Sequence, residues 1–256
     1  MKYKVFIFDI DNTLTSSRDW QFVPSAVAAL KELRSRGYTV VISSGRTPGL
    51  AVMLDEAGIE YDYFVGANGH MVADGKRNVL WAKYFDSDLC ERIERYVREH
   101  DLGFFWKLTE GPHVIVSNET IERIFSVYHV SSVEKPQPFM TFGGAMVTEP
   151  EKERMFFEEF KQEIDSVNGG ALIYDILIKG VSKKDGIREL CRILNVSREE
   201  CMAFGDSAND VEMLEYAGLG IAMGDGREAC RNAADYVTAE TYNDGIEKAL
   251  KYFGIL

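Results

Sequence analysis

The sequence is poor in cysteine: four residues, at positions 90, 191, 201 and 230, with no Cys-x-x-Cys among them. A zinc site or a disulfide framework is therefore not expected, and the thiols fit a reducing cytoplasm. The four histidines share no metal-binding spacing. There is no dense run of lysine and arginine, and the net charge is −12, which argues against nucleic acid and anionic membranes as partners. No apolar stretch approaches membrane-spanning length. The first, Val5 to Phe8, stops at Asp9 after four residues, too short for a signal peptide. Internal repeats and low-complexity segments are absent as well. What is present is a globular composition, 46% hydrophobic and 27% charged over 256 residues, enough for one large domain or two small ones.

The opening Val5-Phe6-Ile7-Phe8 reads as a strand buried on both faces, and Asp9-Ile10-Asp11-Asn12-Thr13 interrupts it. If the strand continues, Asp9 and Asp11 point the same way. Two anions that close need a cation or a shared proton. A helix is expected over 24–36, with Pro24 at its start and Gly37 past its end. Next come a strand from Thr39 to Ser44, a helix over 48–57, a strand from Tyr63 to Ala67 and a tight turn at Asn68-Gly69. This alternation indicates a doubly wound parallel α/β sheet.

From Lys83 the pattern loses strict alternation. A charged helix is expected over 86–100, strands over 104–108 and 113–116, a helix over 121–128 and a strand near Met140. A long helix over 149–167 carries Phe156, Phe160, Ile164 and Val167 on one face, with Thr148 and Glu151 as a capping box. A strand over 171–178 closes what reads as an inserted α+β unit. Alternation resumes at Ser182, whose pairing with Asp185 opens a helix to Leu194. The strand Cys201 to Gly205 follows, then a helix over 209–216, a strand over 219–222, a helix near Arg227, a strand at 236–237 and a final helix from Asn243. The expected domains are 1–82 with 181–256, and 83–180.

Three strand ends carry polar residues: Asp9 and Asp11, Ser43 and Ser44, and Gly205-Asp206-Ser207-Ala208-Asn209-Asp210. In open α/β sheets ligands bind beyond the carboxyl ends of the strands. Asp9, Asp11 and Asp206 together make a hard-oxygen site suited to Mg²⁺ that keeps several waters. Asp210, one helical turn after Asp206, can point back toward it. Lys183 falls in the first turn of a helix, where the dipole disfavours a cation unless an anion is bound there. Lys184 beside it is the alternative.

Asp9-Ile10-Asp11-Asn12-Thr13, Ser44 before Gly45-Arg46, Lys183, and Gly205-Asp206-x-x-Asn209-Asp210 resemble, in order, the four motifs of the haloacid dehalogenase superfamily. The chain most resembles the Cof-like branch of sugar-phosphate phosphatases, subfamily IIB, whose large cap is inserted after the third core strand. The resemblance covers essentially the whole chain. That branch usually has Gly where this chain has Asn12.

The resemblance implies that Asp9 attacks phosphorus and that Asp11 is the general acid and base. Asp at the second position, where the superfamily's ATPases have Thr, is the phosphatase pattern. It also implies that Ser44, the Gly45 amide, Lys183 and Asn209 hold the phosphoryl oxygens. Mg²⁺ would be held by Asp9, the Asp11 backbone carbonyl and Asp206. Asp210 is either a direct ligand or a group that orients water or Lys183. Arg46 and Asn68, at turns near the rim, are open to substrate contact or to a structural role, and Arg46 is counted among the candidate substrate contacts.

The expected activity is Mg²⁺-dependent hydrolysis of small phosphorylated metabolites, by a monomer or small homo-oligomer. A phosphomutase and a non-catalytic binding module on the same fold are the alternatives. Gly224-Asp225-Gly226-Arg227-Glu228-Ala229 matches a dinucleotide fingerprint but is followed by too little chain for one, so a tight turn into a helix is expected there. Phe104, Phe105 and Trp106 read as cap core, with Trp106 or His113 open to facing substrate.

Overall fold

The computed structural model describes residues 2–256 except Gln137 and Ala171. The chain forms two compact units. One comprises Met1–Ser44, Leu54–Leu80 and Ser182–Leu256, and the other Gly45–Met53 and Trp81–Val181.

In chain order the elements are β1 (Val5–Phe8), α1 (Pro24–Ser35), β2 (Thr39–Ser43), α2 (Val52–Glu56), β3 (Tyr63–Gly66), β4 (Met71–Asp74) and β5 (Val79–Ala82). There follow α3 (Ser87–Glu99), β6 (Gly103–Lys107), β7 (Pro112–Val116), α4 (Glu119–Val127), β8 (Gly143–Val147), α5 (Pro150–Phe160), β9 (Ile164–Gly170) and β10 (Ile173–Ile178). The chain then returns through α6 (Lys183–Leu194), β11 (Cys201–Gly205), α7 (Val211–Tyr216), β12 (Leu219–Ala222), α8 (Glu228–Ala233), β13 (Tyr236–Val237) and α9 (Gly245–Tyr252). Among the described residues no helix is long and apolar enough to cross a membrane.

The first sheet has the order β13-β12-β11-β1-β2-β3-β4-β5, parallel from β13 to β3 and antiparallel at β4. β1 is central because all four of its side chains are apolar and buried. The Phe8 ring stacks on Phe204 of β11, 4.9 Å between centroids. The chain runs one way from β1 to β2 and β3, and the other way from β11 to β12 and β13. The reversal therefore lies between β1 and β11, where an open α/β sheet leaves a crevice at the carboxyl ends. Asp9 and Asp206 stand at those two ends.

β1 stops at Phe8, so the argument that strand alternation aims Asp9 and Asp11 alike does not apply. The chain turns instead, with the amides of Thr13, Leu14 and Thr15 all donating to the Ile10 carbonyl. Asn12 sits in that turn at φ 59°. Glycine reaches this left-handed region freely and asparagine is among the few other residues that tolerate it, which accounts physically for Asn in place of Gly. Asn12→Gly is expected to leave the melting temperature nearly unchanged. Asn12→Val should cost about 1–2 kcal/mol, read as a drop of a few degrees in thermal denaturation.

The second sheet has the order β7-β6-β8-β10-β9, with each observed pairing antiparallel. Side-chain alternation along β6 sends Phe104 and Trp106 to one face, with Ile93, Phe156 and Phe160, and Phe105 to the other, with Leu50, Ile121 and Phe125. Trp106 is fully buried and its indole N–H donates to Glu94 Oε1 at 3.0 Å, so it is core. Gly49 belongs here because its α-carbon abuts the Glu110–Gly111 backbone, with no room for a Cβ.

Several expected elements differ. The helix expected over 149–167 ends at Phe160, and Ile164–Gly170 is instead β9, paired with β10. Ile164 is buried either way, so its spacing from Phe156 and Phe160 imitated a helical stripe. The expected Thr148–Glu151 capping box is not the start of α5. Glu149 is the N-cap without a side-chain bond, and Pro150 fixes the first turn. The strand expected near Met140 lies at Gly143–Val147, where Gly144 leaves room for the Phe104 ring. In the strand expected over 171–178, Ala171 lies outside the described residues. β4 and β5 are additions with no counterpart in the sequence reading.

Candidate active site

Asp9 follows the last residue of β1, its amide donating to the Phe204 carbonyl at 3.1 Å. Asp206 follows β11 in the same way. Asp210 enters because Gly205 has no side chain: a Cβ there would lie 2.5 Å from the Asp210 Cβ. One Asp210 oxygen, Oδ2, accepts from the amides of Asp206 and Ser207, both at 3.0 Å. The other, Oδ1, accepts from Lys183 Nζ at 2.6 Å, and the same ammonium donates to Asp9 Oδ1 at 2.5 Å. Lys183 is the first residue of α6, whose start is fixed by a capping box between Ser182 and Asp185. Its side chain is fully buried. A lysine against the helix dipole is held here by two carboxylates, and it is Lys183 rather than Lys184 that reaches them. Lys184 instead pairs with Glu212 at 3.4 Å, outside the carboxylate cluster.

Ligand oxygens of Asp9, Asp206 and Asp210 lie within 4.8 Å of one another, and all three residues are buried. Burial raises the Asp9 carboxyl to about 7, with Asp210 and Asp11 adding to the rise and Lys183 opposing it. Burial likewise raises Asp206 to about 9, followed by the charges of Asp9 and Asp210. Lys183 is pulled down by burial, but Asp210 and then Asp9 outweigh that, so its pKa is raised. One ammonium cannot neutralise three buried carboxylates. The protein therefore has a site for a further cation, and an all-oxygen set of a few carboxylates fits Mg²⁺, which keeps waters for its other positions. The donor chemistry and the uncompensated charge agree on Mg²⁺ as the cofactor.

A pH dependence follows. Carboxyls raised above their ordinary value of 3.8 hold protons in the folded state that the unfolded chain has already lost. Stability of the metal-free protein should thus fall as pH rises from about 4 through 9. Mg²⁺ displaces those protons, so its stabilising effect grows over the same range. Thermal denaturation with and without Mg²⁺ at pH 5.5 and 8.5 should show the larger gain at pH 8.5; an equal or smaller gain there would contradict the assignment.

Ser44 is buried; its amide donates to the Val65 carbonyl, and its own carbonyl accepts from the Asn68 amide at 3.0 Å. Asn209 Nδ2 donates to Asn68 Oδ1 at 2.9 Å, and its Oδ1 accepts from Ser207 Oγ at 2.7 Å. Asp11 is half-buried in the turn after Asp9, and its side chain does not belong to the three-carboxylate cluster. Gly45 and Arg46 fall within the second unit. There the Gly45 carbonyl accepts from Lys107 Nζ at 2.7 Å, and the Arg46 guanidinium lies 4.3 Å from the Tyr128 ring centroid.

Some supporting contacts are not visible in the sequence. Thr13 Oγ1 donates to Asp206 Oδ1 at 3.3 Å. The discounted Gly224–Ala229 stretch is a turn leading to α8, and it clasps Asp206: the Arg227 amide donates to the Asp206 carbonyl at 2.7 Å. A Cβ on Gly226 would lie 2.9 Å from that same oxygen. The tight turn into a helix expected there is present, and it packs against the Asp206 backbone. In the second unit, Lys107 also pairs with Asp175 at 2.6 Å, across the two strands that flank β8, 68 positions apart in sequence.

Residues 6–250 match the haloacid dehalogenase-like hydrolase family. The chain is 29% identical over 277 residues to the putative phosphatase YkrA of Bacillus subtilis strain 168, with 100% of both chains covered. It is 28% identical to a phosphoglycolate phosphatase of Methanosarcina acetivorans, covering 98% of this chain and 97% of that one. Among solved structures it is similar to the HAD subclass IIB sugar phosphatase BT4131, with a TM-score of 0.85, 27% identity, and 99% and 100% of the two chains covered. With the match spanning nearly the whole chain and the buried carboxylates in place, the chain belongs to the haloacid dehalogenase-like hydrolase family and is a Mg²⁺-dependent phosphoric monoester hydrolase.

Proposed function

We propose that the protein hydrolyses small sugar phosphates through an aspartyl-phosphate on Asp9, as a member of the Cof-like, subfamily IIB branch. The observation that carries this reading is the Asp9 carboxylate held by the buried Lys183 ammonium at 2.5 Å, beside Asp206 and Asp210. Asp9 Oδ attacks phosphorus as the bond from phosphorus to the sugar oxygen breaks, and Asp11 gives that oxygen its proton. Water then attacks the phosphoryl group, Asp11 takes the water's proton, and inorganic phosphate leaves Asp9 free again.

Ser44, the Gly45 amide, Lys183 and Asn209 bind the phosphoryl oxygens and offset their charge in the transition state. Arg46 is assigned to the substrate. Asp9, the Asp11 carbonyl and Asp206 would hold Mg²⁺, which would supply positive charge to the phosphoryl group. Asp210 keeps Lys183 in place, since one of its oxygens is committed to that ammonium and the other to two amides. Residues 1–82 with 181–256 are assigned to catalysis, and 83–180 to substrate selection.

Sugar as the leaving group is supported by the likeness to the sugar phosphatase BT4131. Steady-state phosphate release from a panel of hexose and pentose phosphates, phosphoglycolate and an aryl phosphate tests it. The largest kcat/KM is expected for a sugar phosphate. A clear preference for phosphoglycolate would overturn the substrate class and leave the chemistry standing.

A further inference from the structure

Asn68 lies in the turn Ala67–Gly69 after β3, distant in sequence from the two residues it bonds. Its backbone amide donates to the Ser44 carbonyl at 3.0 Å, and its side-chain oxygen accepts from Asn209 Nδ2 at 2.9 Å. Gly69, at φ 95°, packs so closely on the N-cap of α6 that a Cβ would lie 2.0 Å from the Ser182 carbonyl oxygen and 3.0 Å from the Lys183 Cα. Gly186, in the second turn of α6, abuts Gly69 in return, with 2.9 Å from its would-be Cβ to the Gly69 Cα. One turn thus holds Ser44 by a backbone hydrogen bond, Asn209 by a side-chain amide and Lys183 by the seat of its helix.

We propose that this turn is the positioning element of the phosphate site, and that Asn68 orients Asn209 for the phosphoryl group. The inference rests on the reading above, in which Asn209 binds phosphate. An amide nitrogen has two hydrogens. Asn68 takes one, and Ser207 donates to the oxygen at the other end of the same amide, so the plane of Asn209 is fixed from both sides. The direction of the second hydrogen is then fixed as well. Asn68 is 1% exposed and held at φ 52°, a conformation that most residues adopt only with strain. An asparagine here serves the turn and the neighbouring amide together. Its effect on phosphate is indirect, which makes it a positioning residue.

The test uses Asn68→Gly, which suits the positive φ and keeps the backbone amide on Ser44 while removing the side chain. The probe is inorganic phosphate as a competitive inhibitor in saturating Mg²⁺. The inhibition constant should rise about five- to tenfold, the effect of one lost orienting hydrogen bond. The Mg²⁺ concentration for half-maximal activity should change by less than about twofold, because Asn68 bonds none of the three clustered carboxylates.

Asn209→Ala should weaken phosphate by a similar factor, and the double variant should be little worse than either single one. Asn68→Asp keeps an acceptor for Asn209, so on that background Asn209→Ala should regain its full effect. Additive losses from Asn68→Gly and Asn209→Ala would overturn the proposal. So would a lower melting temperature for Asn68→Gly with unchanged phosphate affinity. If Asn209→Ala itself leaves phosphate affinity unaltered, it is the assignment of Asn209 as a phosphate ligand that fails.

Discussion

Asp9→Asn should lower Mg²⁺-dependent phosphate release by at least about 10⁴-fold, the scale on which removing a nucleophile acts. The substitution is nearly isosteric, so it isolates chemistry from packing. An amide at this position can accept from Lys183 through its oxygen, and the Phe204–Asp9 backbone bond is untouched. What it loses is the anionic oxygen that would bond to phosphorus and one negative charge of the metal cluster. Removing a charge from a crowded, buried set of acids relieves repulsion, so the metal-free variant should be at least as stable as the parent at pH 8. Loss of activity together with a retained or raised melting temperature separates a missing nucleophile from misfolding. Stopped-time phosphate assays and thermal denaturation on the same preparations provide both readings.

Lys183→Met should have the opposite stability profile. The methionine fills much of the same space, but Asp9 and Asp210 lose the ammonium that both of them contact. Removing one partner of a buried ion pair typically costs about 3–5 kcal/mol, which in a chain of this size is a fall of roughly 10 °C in melting temperature. Lys183 lowers the Asp9 pKa, so its removal raises that carboxyl further above its unfolded value. The variant's deficit should therefore be largest at pH 8 and shrink toward pH 5, where the carboxyls accept protons. Activity should fall by about 10²–10³-fold, the effect of losing one charged donor to the transition state. A variant as stable as the parent at pH 8 would show that Lys183 does not offset the cluster's charge.

The site was legible where chemistry is carried by neighbours in sequence at the ends of apolar strands. Val5 to Phe8 and Cys201 to Gly205 fit buried strands, which puts Asp9 and Asp206 at strand ends, where the structure has them. The seat of Lys183 was legible from the Ser182–Asp185 cap. Residues whose role depends on tertiary approach were not legible. Nothing local to Asn68 announces Asn209, which is paired with it across 141 positions. Lys107 and Asp175 sit on separate strands of one sheet in the same way.

The fold errors have a similar origin. Ile164 satisfies the spacing of a helix and the burial of a strand equally, and only pairing with β10 decides between them. The strand expected near Met140 lies at Gly143–Val147, where Gly144 leaves the space that the Phe104 ring fills. The two closely spaced acids at the start read as a pair needing a cation or a shared proton, but the chain turns after Phe8 and the Asp11 side chain lies outside the carboxylate cluster. The crowding comes from Asp206 and Asp210, delivered by another strand.

In the proposed reaction Asp9 carries the phosphoryl group. The most direct test of this role is acid-quenched labelling: the Asp11→Asn variant, mixed with a substrate bearing radiolabelled phosphate and Mg²⁺, is denatured within one turnover and mapped by peptide. A hydroxylamine-labile label is expected on the peptide containing Asp9, since the impaired base slows hydrolysis of the acyl phosphate, and no label when Asp9→Asn is added. Turnover with no covalent label in either the parent or Asp11→Asn, together with phosphate release that survives Asp9→Asn, would contradict this role of Asp9.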